Sequence, residues 1–302
     1  MKSNHDVIFK ICCYPKNNSN AMFDMYNKKN SEMEMMKLLS QYVLNRSTPH
    51  IVMPISFEIS DINNFILFDD YLALVESSEI KNNKYIELVK KYNENKISKH
   101  VLVFIMEKCQ GGDLHEYIKN NYHKMSSKIW RAIFFQILFT LAIIQHNHSS
   151  FRHNSLRSDN IFVQNKKVDP AINATRYRYR INNQKFLVPD IGIQIKIGDF
   201  GFSCIKNLIS GSKMKSMWAY ENNVTTMENK YYDMHYFFNT LLHNPLFAYA
   251  PQEIQEFVFR IVPEKYATGK NVHASGRILV NDVYTTPLDI IMTDVLFDEY
   301  RK

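Results

Sequence analysis

Apolar residues along this chain switch between a two-residue and a three-to-four-residue repeat, and the switches mark its elements. Val7 to Cys12 is a short β-like run, and the polar stretch Asn17 to Asn30 reads as a loop. From Ser31 the pattern E-M-E-M-M-K-L-L predicts a helix with Met35, Leu38 and Leu39 on one side. Ile51 to Ile59 reads as a strand and Tyr85 to Tyr92 as a helix. Val101 to Met106 is a continuous apolar strand ending at Glu107. Gly111 and Gly112 break it, and Asp113 is placed to cap a helix from Leu114 to Asn121. Ser126 or Ser127 opens a long helix, in which Ile129, Ile133, Ile137, Leu141 and Ile144 recur on one stripe. Beyond it the chain predicts a hairpin (Tyr177 to Ile181 with Phe186 to Pro189) and a strand, Gln194 to Ile197. A helix begins near Tyr232, and an amphipathic one covers Asp289 to Phe297.

With 302 residues the chain can bury a substantial core, as one large domain or two lobes. An apolar share of 45% with 13% aromatics excludes a disordered chain. The net charge of +7 is mild but local: seven Lys and Arg against two Asp lie between Lys166 and Lys196. Such a patch suits nucleic acid, an acidic partner or a membrane surface, and a solvated basic hairpin is the plainer reading. Cys12, Cys13, Cys109 and Cys204 have no C-x-x-C spacing, which suits free thiols in a reducing compartment. No charged-then-apolar leader opens the chain, so an intracellular protein is expected. The longest apolar run, Ile133 to Ile144, is shorter than the roughly 20 residues a bilayer requires, so no membrane span is expected.

Phe151 to Val163 reads F-R-H-N-S-L-R-S-D-N-I-F-V, and further on comes I-K-I-G-D-F-G, with Asp199, Phe200 and Gly201. Together these resemble the catalytic loop and metal-binding turn of protein kinases, H-R-D-L-x-x-x-N and D-F-G. D-F-G alone is a weak signal; behind a β-run, with Asn160 and His153 upstream, it is strong. The resemblance extends over nearly the whole chain. It implies an α+β, bilobal kinase-like fold, with residues 1–108 as the N-lobe and 109–302 as a mostly helical C-lobe.

The resemblance also implies roles. Lys10, in V-I-F-K, would hold the α- and β-phosphates of ATP and pair with Glu34 on the following helix, Glu32 being the less favoured partner. Met106 would stand at the back of the pocket, and the Glu107 carbonyl and Cys109 amide would bind adenine. Asn160 and Asp199 offer the hard oxygen ligands that Mg²⁺ prefers. His153, Phe200, Leu38 and Asp233 match positions that stack or anchor the kinase core. The finer resemblance is to the kinases of large cytoplasmic DNA viruses. It rests on R-H-N, G-D-F-G-F-S, the helix Y-Y-D-M-H-Y-F-F-N-T-L-L, T-P-L-D-I-I and the basic insertion before D-F-G. That likeness implies a site in the host cytoplasm or the virion.

Three departures bear on activity. Ser155 stands where the family has its catalytic aspartate, and a neutral hydroxyl is a poor base. Asp159 is close in sequence but occupies a variable position. All eight glycines lie at or after Gly111, so the glycine-rich loop over the phosphates is missing from the sequence, and either a misplaced gene start or a truncated N-lobe is expected. There is no A-P-E, which leaves Glu221 or Glu228 to close the activation segment, with Arg277 as partner. Arg157, at the usual lysine position, keeps the positive charge near the γ-phosphate. The expected function is therefore a kinase-like protein with a nucleotide and Mg²⁺ cleft, impaired in catalysis, acting on a protein substrate or partner. The alternatives are a working serine/threonine kinase and a nucleic-acid-binding module using Arg176, Arg178, Arg180 and Lys185. A zinc site at His146, His148 and His153 lacks cysteines at a suitable spacing.

Overall fold

Strand β1 (Val7–Pro15), helix α1 (Ser31–Leu44) and strand β2 (Pro54–Asp61) open the fold in a computed structural model of the chain. The structure describes residues 6–17, 30–66, 83–166, 176–209 and 217–302. Most of the loop expected at Asn17 to Asn30 lies outside the described residues, as do parts of the Asp61 to His100 and Lys166 to Lys196 segments and of the stretch after D-F-G. Helix α2 (Asn83–Asn93) follows, then β3 (Ile97–Glu107), in which Val101 to Phe104 are all buried. A strand apolar on both faces has to be central, and β3 pairs antiparallel with β1 on one side and β2 on the other. Val89 of α2 covers one face of this sheet with Ile62, Ile66, Val101 and Val103.

On α1 the buried stripe is Glu32, Met35, Met36, Leu39 and Tyr42, while Leu38 is only half-buried. Leu38 therefore packs at the edge of the core, and Met36 takes the interior position. Helix α3 (Leu114–Asn121) starts as predicted, with the Asp113 carboxylate accepting from the Glu116 N–H at 2.8 Å. Helix α4 (Ser127–Asn147) is buried on every side from Ala132 to Gln145. Its 21 residues exceed the apolar run picked out in the sequence, and its length and composition suffice to cross a membrane. Burial accounts for that composition: a helix apolar all round is a core helix when protein surrounds it. Phe134 alone meets the rings of Phe237, Phe238 and Phe257.

Strands β4 (Ile161–Asn165), β5 (Arg176–Ile181), β6 (Gln184–Pro189) and β7 (Ile193–Ile197) come next. β5 and β6 form the expected hairpin, and its two-residue turn places Asn182 at φ 52°, which Asn tolerates. β4 and β7 pair antiparallel with Ile161 opposite Ile197. This register sets the residues just outside the ladder, Asn160 and Gly198, against each other, and the Gly198 N–H donates to the Asn160 carbonyl at 3.0 Å.

Helices α5 (Tyr232–Leu242), α6 (Gln252–Ile261) and α7 (Pro287–Thr293) follow, with single-turn helical segments at Met217–Glu221 and Glu264–Ala267. Sequence reading missed α6, whose buried Ile254, Phe257, Val258 and Ile261 form a stripe at helical spacing. The single helix expected over Asp289 to Phe297 is two pieces. Thr286 and Asp289 close a capping box at the start of α7, and Asp294 is extended. Its side chain accepts from the Leu296 N–H and begins a separate 3-10 turn, Val295–Tyr300. The fold is α+β.

Candidate active site

Lys10 on β1 lies opposite Phe104 and Ile8 opposite Met106, so one stretch of sheet carries Ile8, Lys10 and Met106 to a single cleft. The cleft has a volume of about 380 Å³. Six of the residues predicted from sequence line it: Lys10, Met106, Glu107, Cys109, Asn160 and Asp199. Ile8, Phe9, Glu32, Met36, Val52, Phe162 and Gly198 line it as well. Glu34, Ser155 and Arg157 are not among its walls.

Lys10 Nζ lies 2.6 Å from Glu32 Oε1 and 2.8 Å from Asp199 Oδ1. The partner on α1 is thus Glu32 and not Glu34, which pairs with Lys37 at 3.0 Å on the outer surface. Two positions along a helix rotate a side chain by about 200°, so only one of the two glutamates can face β1. The one that does also sits four residues before buried Met36. Burial disfavours the charge on Lys10, but Glu32 and Asp199 outweigh it and hold its pKa above the ordinary lysine value.

At the end of β3, the Glu107 carboxylate accepts from Lys196 Nζ at 2.6 Å and from the Met53 N–H at 2.7 Å. It is a brace between the sheet and β7. The next wall residue, Cys109, is buried, and burial pushes its thiol up to about 12. Its backbone N–H has no hydrogen-bond partner among the described residues, which leaves a donor for a ligand in the cleft.

Gly198 is required where it stands. A Cβ there would come within 2.9 Å of both Val52 and Phe162. Asp199 follows at φ 56°, ψ 66°, a left-handed conformation that Asp adopts at modest cost. Phe200 is buried, its ring 5.2 Å from that of His153. The His153 Nε2 donates to the Gly198 carbonyl at 3.0 Å, since a carbonyl can only accept.

The catalytic-loop segment is held from below by Asp233 on α5. Its two carboxylate oxygens accept from the N–H groups of His153 at 2.7 Å and Asn154 at 2.8 Å. Complete burial pushes its pKa up, against His153, Arg152 and those two bonds. Asn160 donates through Nδ2 to the Ser155 carbonyl at 2.7 Å and to Ser155 Oγ at 3.2 Å. Its Oδ1 has no protein partner among the described residues. Arg157 forks onto Asp159, with Nε 2.9 Å from Oδ1 and Nη2 against Oδ2. Burial favours the neutral form of Asp159, yet Arg157 outweighs it and holds the pKa below the carboxylate norm. Each thus neutralises the other, and neither is a free charge for chemistry.

The closing salt bridge expected between Glu221 or Glu228 and Arg277 does not form. Arg277 lies over the rings of Trp218 and Tyr236, at 5.2 and 4.2 Å, and donates to Ser275 Oγ and the Asn154 carbonyl. Glu228 accepts from Ser149 instead. Ring faces and carbonyls hold the buried guanidinium without the desolvation of a second charge, leaving only its Nε without a hydrogen-bond partner among the described residues. Arg152, also fully buried, stacks 3.5 Å from the Tyr232 ring centroid. It donates to Thr225 Oγ1 and to the carbonyls of Asn223 and Met227, pinning the segment ahead of α5. Sequence spacing carried no signal for the ring and carbonyl partners of these two arginines.

A lysine clamped between a helix glutamate and the aspartate of a D-F-G turn, above a loop anchored on a buried aspartate, defines the site as protein-kinase-like. A family model described as poxvirus serine/threonine protein kinase matches residues 10–261, and the chain belongs to that family. R400 of Acanthamoeba polyphaga mimivirus, which bears the name of a serine/threonine-protein kinase, is 41% identical over 99% of this chain. The chain spans 66% of R400's length. R301 of the same virus, similarly named, is 27% identical over 84% of this chain and 74% of its own length. A serine/threonine-protein kinase by name from Dictyostelium discoideum is 32% identical over 34% of this chain and 8% of its own length.

Proposed function

We propose that the cleft binds Mg²⁺-ATP and that Ser155 leaves phosphoryl transfer strongly impaired. The observation that carries this reading is the division of the site. Lys10, Glu32 and Asp199 are joined in one ion-paired cluster, while a neutral hydroxyl occupies the position of the base. The residues fit the group. Cys109 has an unpartnered N–H for adenine, Lys10 a charge for phosphate oxygens, and Asn160 and Asp199 oxygen atoms for Mg²⁺. Among the described residues no three acidic, His or Cys side chains gather as a metal cage. That suits Mg²⁺, which takes one or two protein ligands and completes its shell with water and phosphate. Bound there, Mg²⁺-ATP would supply the transferable phosphoryl group.

This chain's own residues then position and do little else. Met106 and Met36 shape the apolar wall, and Glu107 braces the sheet against β7. Ser155 cannot accept the proton of an incoming hydroxyl near neutral pH, and Asp159 is engaged by Arg157. Losing a positioned base costs about 10²–10⁴-fold in rate. We read residues 1–108 and 109–302 as two lobes flanking the cleft. Among the described residues no disulfide joins Cys109 or Cys204, which suits a reducing, intracellular setting. A second reading, a working serine/threonine kinase, is favoured by the assembled Lys10–Glu32 pair, and its substrate would be a protein hydroxyl.

Two assays on the full chain separate these readings. A rise in thermal stability with Mg²⁺-ATP, and little transfer of the γ-phosphate to a mixed protein substrate, is the expected result. Transfer at ordinary kinase rates, about 1–100 per second, would overturn the impairment. No effect of nucleotide at any concentration would overturn the cleft.

A further inference from the structure

The β5–β6 hairpin has two faces of opposite character. Tyr179, Ile181, Phe186 and Val188 are buried, with Tyr179 and Phe186 against the Phe135 ring of α4. His50 ties this face down: its Nδ1 is 2.9 Å from the Ile195 carbonyl and its Nε2 2.9 Å from the Tyr179 hydroxyl. On the other face Arg176, Arg178 and Arg180 are exposed at every second position. Lys185 lies opposite Arg180, and Lys302 beside Lys185. Arg178, Arg180, Lys185, Leu187 and Lys302 border a shallow groove of about 390 Å³. Among the described residues none of these five cations has an ion-pair partner. Like charges directly opposed across strands destabilise a sheet, so the fold carries a repulsion that an anion would relieve.

The backbone points the same way. Pro189, opposite Arg176, has no N–H, so that pair cannot exchange two hydrogen bonds. Antiparallel ladders alternate, and Arg178 and Arg180 therefore also turn their N–H and C=O groups away from β6. The Lys302 N–H donates to the Lys185 carbonyl at 3.0 Å on the outer edge of β6, as this phase requires. No described residue bonds the outward backbone groups of the three arginines.

We propose that this edge is a docking strip for an extended acidic segment of a protein partner, which adds as a strand beside β5. Residues that pair with Arg176, Arg178 and Arg180 point to the arginine face, so acidic or phosphorylated side chains at alternate positions each meet one guanidinium. The repeat of about 6.6 Å between alternate residues is common to both strands. A nucleic acid has no such ladder of N–H and C=O groups to offer, and the open edge therefore favours a peptide. The strip shares no residue with the cleft and does not depend on the cleft's chemistry.

The test is fluorescence anisotropy of the full chain with a labelled peptide, about a dozen residues long, in which Glu alternates with Thr. Saturable binding is expected. It should fall about tenfold or more in R178E/R180E, and measurably in the milder R178Q/R180Q, because charge-assisted pairs are lost. Methylating alternate backbone nitrogens of the peptide should abolish it, and a peptide with the same residues in blocks should bind several-fold less. Absence of binding, equal binding of the blocked or methylated peptide, or tighter binding of oligothymidylate through the same arginines would overturn the proposal.

Discussion

The Lys10 side of the cleft and the Ser155 side of the loop below it differ in what supports them. Lys10, Glu32 and Asp199 come from three separate elements and meet within 2.8 Å. Ser155 is held just as firmly, between Asn160 and a loop anchored on Asp233, but it presents no charge. Arg157, the nearest cation along that loop, is spent on Asp159. Backbone placement and proton chemistry are therefore separable here. The first depends on a buried polar network, the second on one half-exposed side chain, Ser155.

The sharpest way to break this contrast is Ser155→Asp. If the loop is already in place, phosphoryl transfer should rise about 10²–10⁴-fold in a single-turnover assay, with nucleotide affinity little changed. An unchanged rate would show that more than the base is missing. Next in size, Asp233→Ala should cost about 3 kcal/mol or more in urea unfolding, because the two buried N–H groups of His153 and Asn154 lose their acceptor and the buried Arg152 charge loses a nearby carboxylate. It should lower stability without selectively affecting either side of the cleft.

A smaller effect sharpens the boundary between cleft and scaffold. Burial holds His50 down to about 3 and His235 to about 4, from an ordinary 6.5. As pH falls below 6.5 the unfolded chain takes up protons that the folded one refuses. Stability contributed by these neutral rings is thus complete above that pH and is lost toward pH 4, by roughly 1 kcal/mol per pH unit for each. Denaturation midpoints measured across this window should slope downward on acidification, and His50→Gln should flatten the slope. Smallest of all, Cys109 should resist iodoacetamide at neutral pH, since its thiol is pushed up to about 12. Peptide mapping that finds Cys109 modified first would contradict its burial.

Much of the site could be read from local patterns. Asn160 and Asp199 flank two strands whose apolar runs set their own register, and Lys10 and Met106 sit on adjacent strands of one sheet. The Asp113 cap and the alternating arginines of β5 were equally plain. Glu34 was not the right partner because the facing side of α1 depends on tertiary contact, and E-M-E offers two acids on opposite sides. The break at Asp294 turns on one side chain accepting from Leu296, which outweighs a continuous apolar stripe. Arg277 was paired with an acid because its actual ring partners, Trp218 and Tyr236, are scattered in sequence and carry no charge.

Calorimetric titration of Mg²⁺-ATP into the full chain and into Lys10→Ala tests the central claim most directly. The account predicts saturable, Mg²⁺-dependent binding that weakens about tenfold or more in Lys10→Ala, a loss of about 1.4 kcal/mol, and is unmoved in Ser155→Ala. Binding of equal strength in both chains, or none in either, would contradict it.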